Sequence, residues 1–204
     1  KYGYIMFKKQ QYYYDIEPEF MDIYKKCKDY TDTSFDRMYS LFQAVEYVVK
    51  NKIEGDFVEC GVFMGGSSMM AALSFKYFNN LSKNLYLYDT FKGMSAPTDH
   101  DIDYKGRVAE KNYQKLKMDD HVHWSYCSLD NVKKNMSLTN YPEDKIKYIE
   151  GMVEDTIPHT VPKKISILRL DTDFFKSTYH EFVHLYPLLV PNGVLILDDY
   201  RYWK

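Results

Sequence analysis

Short runs of apolar residues alternate along the chain with stretches in which apolar residues recur every three or four positions. The short runs are typical of strands, and the longer spacing is typical of helices. Because strands and helices alternate, the pattern predicts an α/β fold with a mostly parallel sheet and helices on both faces. The predicted strands are 57–62, 85–88, 146–149, 165–170 and 193–198, and the predicted helices are about 15–30, 33–50, 67–75, 105–118, 128–138 and 174–189. Thr33 and Asp36 fit the S/T-x-x-D/E pattern of a capped helix start.

Composition restricts the class of protein. The chain has 204 residues, of which 45% are hydrophobic and 27% are charged, and its net charge is −2, as expected for one globular domain. So small a net charge gives no reason to expect nucleic acid or an anionic membrane as a partner. No apolar run reaches the roughly eighteen residues of a membrane span. Three scattered cysteines and the lack of a signal peptide indicate a reducing compartment, so we expect a cytoplasmic protein.

Acidic residues follow the last two predicted strands. Asp171 and Asp173 come directly after strand 165–170, and Asp198 and Asp199 come after the final strand. The carboxyl ends of parallel strands meet at one edge of the sheet, where ligands bind. Four carboxylates gathered there would repel one another unless a cation joins them, and hard divalent cations prefer oxygen ligands. The alternative is that Asp173 caps the next helix, which would explain only one of the four acids.

A glycine-rich turn follows the first predicted strand. Glu59-Cys60-Gly61 leads into Gly65-Gly66-Ser67-Ser68, and the helix that starts there offers N–H groups to an anionic ligand. Asp89 ends the second strand, where an acid often binds ribose hydroxyls. The turn has neither the dinucleotide nor the triphosphate glycine pattern. A nucleoside with an amino-acid tail, such as S-adenosylmethionine, therefore fits better, and the alternative is a tight turn followed by a capping aspartate.

Several motifs in the same order resemble the macrocin O-methyltransferase family. They are segments 55–62, 65–68, 87–94, 151–158, 168–173 and 190–200, and the resemblance runs from about residue 31 to the end. It implies a Rossmann-like methyltransferase fold that uses S-adenosylmethionine and a divalent metal, usually Mg²⁺, to methylate hydroxyls of sugar-containing small molecules. It also implies a methyltransferase domain over 33–204, which we expect to be truncated at its C-terminus. Segment 1–32 is then a helical addition, a candidate acceptor lid or homodimer contact.

The resemblance also assigns residues to roles. Asp171, Asp198 and Asp199 match the metal-binding acids of the family, and Asp173 matches its general base. The methionine end of the cofactor is assigned to Glu59, Gly61, Gly65, Gly66, Ser67 and Ser68. Asp89 matches the ribose contact, and Gly151 and Met152 are assigned to the neighbourhood of the adenine.

Two other functions remain open at this stage. His180-Glu181-Phe182-Val183-His184 has the H-E-x-x-H pattern of zinc hydrolases, in which two histidines on one helical face bind the metal. Five-residue matches arise by chance, and the simpler interpretation is two polar residues on the outer face of an amphipathic helix. The third alternative is a non-catalytic module that binds the cofactor without turnover.

Overall fold

The computed structural model of the protein describes residues 16–203, so the first fifteen residues of the predicted N-terminal segment lie outside the described part. Seven helices and five strands alternate within it. They are α1 (Pro18–Cys27), α2 (Phe35–Lys50), β1 (Asp56–Cys60), α3 (Gly66–Tyr77), β2 (Leu85–Asp89), α4 (Ala109–Leu116), α5 (Leu129–Ser137), β3 (Ile146–Glu150), α6 (Val153–Thr156), β4 (Ile165–Leu170), α7 (Phe175–Leu185) and β5 (Leu189–Leu197).

The five strands form one parallel sheet in the order β3-β2-β1-β4-β5. The chain therefore reverses its direction of winding between β1 and β4, and a ligand crevice is expected at the carboxyl ends of those two strands. The α/β prediction and the parallel sheet are confirmed. None of the helices within residues 16–203 has the length and apolar character needed to cross a bilayer.

Side chains alternate between the two faces of the sheet and build a separate hydrophobic cluster on each. Phe57 of β1 belongs to the larger cluster with α1, α2, α3 and α5, whereas Val58 belongs to the smaller one with α6 and α7. The helices thus cover both faces, as predicted. Phe20 of α1 is fully buried in the larger cluster, so α1 shares the main core. The division of the chain at residue 32 stays a prediction.

The predicted capping box at Thr33 is wrong. Helix α2 starts at Phe35 with Ser34 as its N-cap, and no side chain caps it. Thr33 instead accepts a hydrogen bond from Arg169, at 3.1 Å between Oγ1 and Nη2. The Thr33 hydroxyl thus accepts a hydrogen bond from the charged guanidinium instead of capping the helix.

The last strand starts earlier than predicted, and the helix before it ends earlier. Helix α7 ends at Leu185 and a 3₁₀ turn covers Tyr186–Leu188, so β5 begins at Leu189 rather than near residue 193. Leu189 pairs with Ile165 and Val194 pairs with Ile167, so the intervening residues bulge out of the ladder. Pro191, Asn192 and Gly193 are residue types that disfavour regular strand pairing, and they lie at this irregularity within β5.

Candidate active site

A cavity of about 250 Å³ opens at the carboxyl edge of the sheet, beside the ends of β1, β2, β4 and β5. Five of the nine residues predicted to contact the cofactor line it: Gly61, Ser67, Asp89, Gly151 and Met152. The predicted metal ligands and base line it as well: Asp171, Asp173, Asp198 and Asp199. The structure thus brings the glycine-rich turn and the acidic clusters to one cavity.

The other predicted cofactor residues lie behind this wall. Glu59 and Ser68 are fully buried, and Ser68 Oγ donates a short hydrogen bond to Glu59 Oε2. Gly65 and Gly66 are buried at the start of α3, where Gly65 takes a positive φ of 92° as the N-cap. These four residues shape the turn from beneath, and their role as direct cofactor contacts stays a prediction.

Gly61 is required by a close approach of two strand ends. Its φ is 85°, and a Cβ built there would lie 2.0 Å from the carbonyl oxygen of Asp171. Only glycine fits both the left-handed backbone and this distance. The absence of a side chain therefore lets the ends of β1 and β4 meet at the cavity.

The acidic residues after β4 and β5 converge. Asp171 interacts with Asp198 and Asp199, and Asp173 interacts with Asp199. Burial raises the pKa of Asp171 well above its usual value, against the opposing effect of Arg169. Burial, followed by the charge of Asp199, raises the pKa of Asp173 to about 7. Burial and the charge of Asp198 likewise raise the pKa of Asp199.

A buried arginine, not singled out in the sequence, balances part of this charge. Arg169 of β4 is the register partner of Glu59 in β1, and its Nη1 lies 2.8 Å from Glu59 Oε1 and 2.8 Å from Asp171 Oδ2. Its Nη2 forms a short ion pair with Asp198. Burial alone would lower the pKa of Arg169, but the negative charges of Asp171, Glu59 and Asp198 raise it above its usual value. A single charged residue within the apolar run 165–170 was the signal that could have revealed it.

A second arginine reaches the acids from the protein surface. Arg37 of α2 lies 2.7 Å from Asp198, between Nη1 and Oδ1, as an ion pair without the angle of a hydrogen bond. Asp199 Oδ2 is buried and has no hydrogen-bond partner among residues 16–203. Within the same range, no group of three or more His, Cys, Asp or Glu side chains has the arrangement of a metal site. The carboxylates of Asp171 and Asp198 are thus paired with arginine guanidinium groups in this structure.

Asp89 binds the backbone of the glycine-rich turn. Its Oδ2 accepts hydrogen bonds from the N–H groups of Val62 at 2.7 Å and Phe63 at 3.0 Å, and its Oδ1 accepts one from Phe91 at 2.7 Å. Burial raises its pKa, and these three hydrogen bonds, together with one from the side chain of Thr90, oppose that shift. Asp89 lines the cavity, where its carboxylate faces the space for a ligand.

Trp203 binds the carboxylate of Asp173 and lies in a group of aromatic rings. Trp203 Nε1 donates a hydrogen bond to Asp173 Oδ1 at 3.0 Å, and its ring lies 5.2 Å from that of Phe174 and 6.3 Å from that of Trp124. Asp173 itself has a φ of 65° and does not cap α7, whose N-cap is Phe174. The capping alternative for Asp173 is therefore wrong. Trp203 and Trp124 were not predicted, because nothing in their spacing relates them to residue 173.

The H-E-x-x-H segment does not point into the cavity. His180 Nε2 lies 2.8 Å from the carbonyl oxygen of Ile157, and Glu181 is fully buried on the inner face of α7. The two histidines are partly buried on α7, and Glu181, which the simpler interpretation did not place, faces the core.

The sequence and the fold have counterparts among known proteins. Residues 21–204 match the family model described as Macrocin-O-methyltransferase (TylF). The chain belongs to this family. It is thus a member of an O-methyltransferase enzyme family, as the resemblance implied.

Curated relatives of this macrocin O-methyltransferase family member are named as O-methyltransferases, and the name of one of them contains a rhamnosyl group. The 8-demethyl-8-(2,3-dimethoxy-alpha-L-rhamnosyl)-tetracenomycin-C 4'-O-methyltransferase of Streptomyces olivaceus is 28% identical over 198 residues, 94% of this chain and 72% of the relative. Mycinamicin III 3''-O-methyltransferase of Micromonospora griseorubida is 28% identical, over 84% of this chain and 65% of that protein. Demethyldecarbamoylnovobiocin O-methyltransferase of Streptomyces niveus is 25% identical, over 84% and 62%. The chain thus spans about two thirds of the length of these relatives.

Solved structures share the fold of this family member. The O-methyltransferase NovP superposes with a TM-score of 0.70 at 23% identity, over 83% of this chain and 66% of that one. The calicheamicin methyltransferase CalS11 gives a TM-score of 0.63 at 13% identity, over 90% and 77%. At these identities the likeness concerns the fold, and it confirms the α/β methyltransferase fold predicted from the sequence.

Proposed function

We propose that the protein transfers a methyl group from S-adenosylmethionine to a hydroxyl of a sugar or glycosylated small molecule, with the assistance of a divalent cation. The observation that carries the proposal is the convergence of the glycine-rich turn and four aspartates on one cavity of about 250 Å³. Family membership supports the methyl donor. The rhamnosyl group in the name of one relative supports a sugar-bearing acceptor.

The cofactor would lie along the carboxyl edge of the sheet. Its methionine carboxylate would meet the start of α3 at Ser67, where the helix dipole favours an anion. Its ribose would donate a hydrogen bond to Asp89, and its adenine would lie near Gly151 and Met152. The sulfonium would lie in the part of the cavity that Gly61 lines. The sulfonium would then face the acids and the acceptor.

Asp171, Asp198 and Asp199 would hold the cation. Their oxygens suit a hard divalent ion such as Mg²⁺, and the buried Oδ2 of Asp199 has no hydrogen-bond partner in the described chain. If all five acids were ionised, counting Glu59 and Asp173, their charge would exceed that of the two arginines by three. The raised pKa values of Asp171, Asp173 and Asp199 indicate that protons offset part of this excess when no cation is bound. This excess favours a further positive charge. When bound, a divalent cation supplies charge that stabilises an acceptor hydroxyl as it loses its proton.

Asp173 would take the proton of the acceptor hydroxyl. Its pKa of about 7 is nearer to neutrality than that of an ordinary carboxyl, which suits a general base. Trp203 fixes Oδ1 of this carboxyl through the indole N–H at 3.0 Å. The hydroxyl oxygen would then attack the methyl carbon in line with the departing sulfur, and positioning of both substrates supplies much of the acceleration.

The location and the oligomeric state remain predictions. The three cysteines are free and buried, which agrees with the cytoplasmic location that we propose. A homodimer through segment 1–32 is proposed from the sequence alone. The zinc hydrolase alternative finds little support, because His180 already contacts a backbone carbonyl and Glu181 is buried.

Transfer of a labelled methyl group from S-adenosylmethionine tests this proposal. The acceptors are a rhamnosylated aromatic polyketide, the same aglycone without its sugar, and a simple catechol, each with Mg²⁺. We expect label on the glycosylated acceptor alone. Equal labelling of the aglycone would contradict the sugar assignment, and a protein that binds no S-adenosylhomocysteine in calorimetry would contradict the donor.

Substitution of the base separates an enzyme from a non-catalytic binding module. Asp173→Asn keeps the shape of the side chain and removes its basicity, so we expect transfer to fall by about 10²–10⁴-fold. Affinity for S-adenosylhomocysteine should stay within about threefold, because Asp173 meets the acceptor rather than the donor. Turnover equal to that of the unmodified protein would clear Asp173 of this role.

A further inference from the structure

Glu181 occupies a position where helix α7 packs against the sheet. It lies on the buried face with Ser177 and Leu185, at intervals of four residues. Its exposed fraction is 0%, whereas Tyr179 and Val183 on the outer face are 62% and 47% exposed. A carboxyl at such a position costs more free energy than an apolar side chain of similar size. Helix packing alone therefore gives no reason for a glutamate here.

The contacts of Glu181 lead to the cavity through one residue. Its Oε1 accepts a hydrogen bond from Thr172 Oγ1 at 2.9 Å, and Thr172 lines the cavity. Its Oε2 is buried and has no hydrogen-bond partner within residues 16–203. Burial, followed by the charge of Glu154, raises the pKa of Glu181 to about 8, although the bond from Thr172 opposes this shift. Near neutral pH the carboxyl is therefore mostly protonated, which lowers the cost of its burial.

Thr172 lies at the centre of the turn that follows β4. It separates Asp171 from Asp173, and its carbonyl oxygen accepts a hydrogen bond from Phe174 N at 2.7 Å. Asp173 adopts a φ of 65°, which is rare for a residue with a side chain and persists only where the surroundings enforce it. The hydrogen bond between Thr172 and Glu181 connects this turn to the middle of helix α7.

We propose that Glu181 is a positioning residue that, through Thr172, holds the turn that directs Asp171 and Asp173 into the cavity. Its effect on turnover rests on the proposed function, whereas its effect on the order of the turn does not. Glu181 does not line the cavity, so it acts without touching either substrate. Since small displacements of reacting groups can cost about 100-fold in rate, loss of this bond would reduce turnover strongly.

Two variants remove the bond from opposite sides. Glu181→Leu removes the acceptor and Thr172→Val removes the donor, while Glu181→Gln keeps an acceptor oxygen and Val183→Ala is a control on the outer face of α7. We expect the first two to accelerate amide hydrogen exchange at Phe174 at least about tenfold. We expect kcat to fall about 10–100-fold, with KM for S-adenosylmethionine within about threefold.

The two remaining variants and the combination complete the pattern. Glu181→Gln and Val183→Ala should stay within about threefold of the unmodified protein in both measurements. The double variant Thr172→Val/Glu181→Leu should be no worse than the more affected single variant, because both remove the same bond. Glu181→Leu should melt no lower than the unmodified protein, since it removes a buried carboxyl oxygen without a partner.

Defined outcomes overturn the proposal. Unchanged exchange at Phe174 in Glu181→Leu and Thr172→Val would do so. So would a loss of turnover accompanied by a lower melting temperature and by faster exchange throughout β4, which indicates a structural role only. If Glu181→Leu fails to fold, Thr172→Val and Glu181→Gln decide the question. If the unmodified protein transfers no methyl group but the exchange pattern holds, the proposed function fails while the positioning role stands.

Discussion

The two edges of the sheet differ in whether their buried polar atoms have hydrogen-bond partners. At the amino edge, Lys83 is 6% exposed, and its Nζ donates hydrogen bonds to the carbonyl oxygens of Ile53 at 2.5 Å and Gly55 at 2.7 Å. Asp56 there accepts from both nitrogens of Asn84. At the carboxyl edge, by contrast, buried oxygens of Glu154, Glu181 and Asp199 have no hydrogen-bond partner among the described residues.

This difference distinguishes the amino edge, which is part of the scaffold, from the carboxyl edge, which carries the candidate site. Buried polar atoms in native proteins nearly always have partners, so a concentration of exceptions indicates strain or a missing ligand. At the amino edge, the charged groups of Lys83 and Asp56 have hydrogen-bond partners within the protein. The carboxyl edge holds more negative charge than its arginines balance, and it is therefore the edge that favours a cation or a proton.

The largest effect on the free energy of unfolding should come from replacing the buried basic residue at each edge. Arg169→Met leaves Glu59, Asp171 and Asp198 without their shared counter-charge, and we expect a loss of about 3–5 kcal/mol in the free energy of unfolding. Lys83→Met only leaves two carbonyl oxygens without a donor, and should cost about 1–3 kcal/mol. Urea unfolding followed by circular dichroism measures both. Equal losses would remove the distinction between the edges.

The pH dependence of stability should distinguish Glu181 next. Its folded-state pKa of about 8 exceeds the ordinary value of 4.5, so the folded protein holds an extra proton between these pH values. The free energy of unfolding should thus fall as pH rises, by roughly 1 kcal/mol per pH unit for this group, and level off above about pH 8. Glu181→Gln should lose that part of the slope.

Urea unfolding of both proteins from about pH 5 to about pH 8 gives the two slopes. All other ionisable groups are common to both proteins, so the difference between the slopes isolates Glu181. Val183→Ala should keep the slope of the unmodified protein. Parallel slopes for Glu181→Gln and the unmodified protein would show that Glu181 is ionised in the folded state.

The smallest effect should have the opposite sign. Asp199→Asn removes one of several repelling carboxylates, and we expect the protein without added metal to gain about 1 kcal/mol. About 10 mM MgCl₂ should raise the melting temperature of the unmodified protein, because a ligand that binds only the folded state stabilises it. The variant should show at most half of that rise. Equal shifts would separate Asp199 from cation binding.

The sequence predicted the sheet because each strand had a clear apolar run, and it predicted the cavity acids because they follow those runs directly. It did not predict the partner of Thr33, because the capping pattern is local whereas Arg169 arrives from 136 residues away. The burial of Glu181 was not predicted for the same reason. Its buried position depends on Thr172 and on the packing of α7, and the H-E-x-x-H letters carry no information about either.

Both tryptophans of the chain pack near Phe174, the residue that follows Asp173. Trp203 donates to the carboxylate of Asp173, and Trp124 lines the cavity with its ring 6.3 Å from that of Trp203. The ultraviolet emission of the indoles therefore originates entirely within one small neighbourhood. Binding of donor, acceptor or cation can thus be followed in the unlabelled protein by a change in that emission.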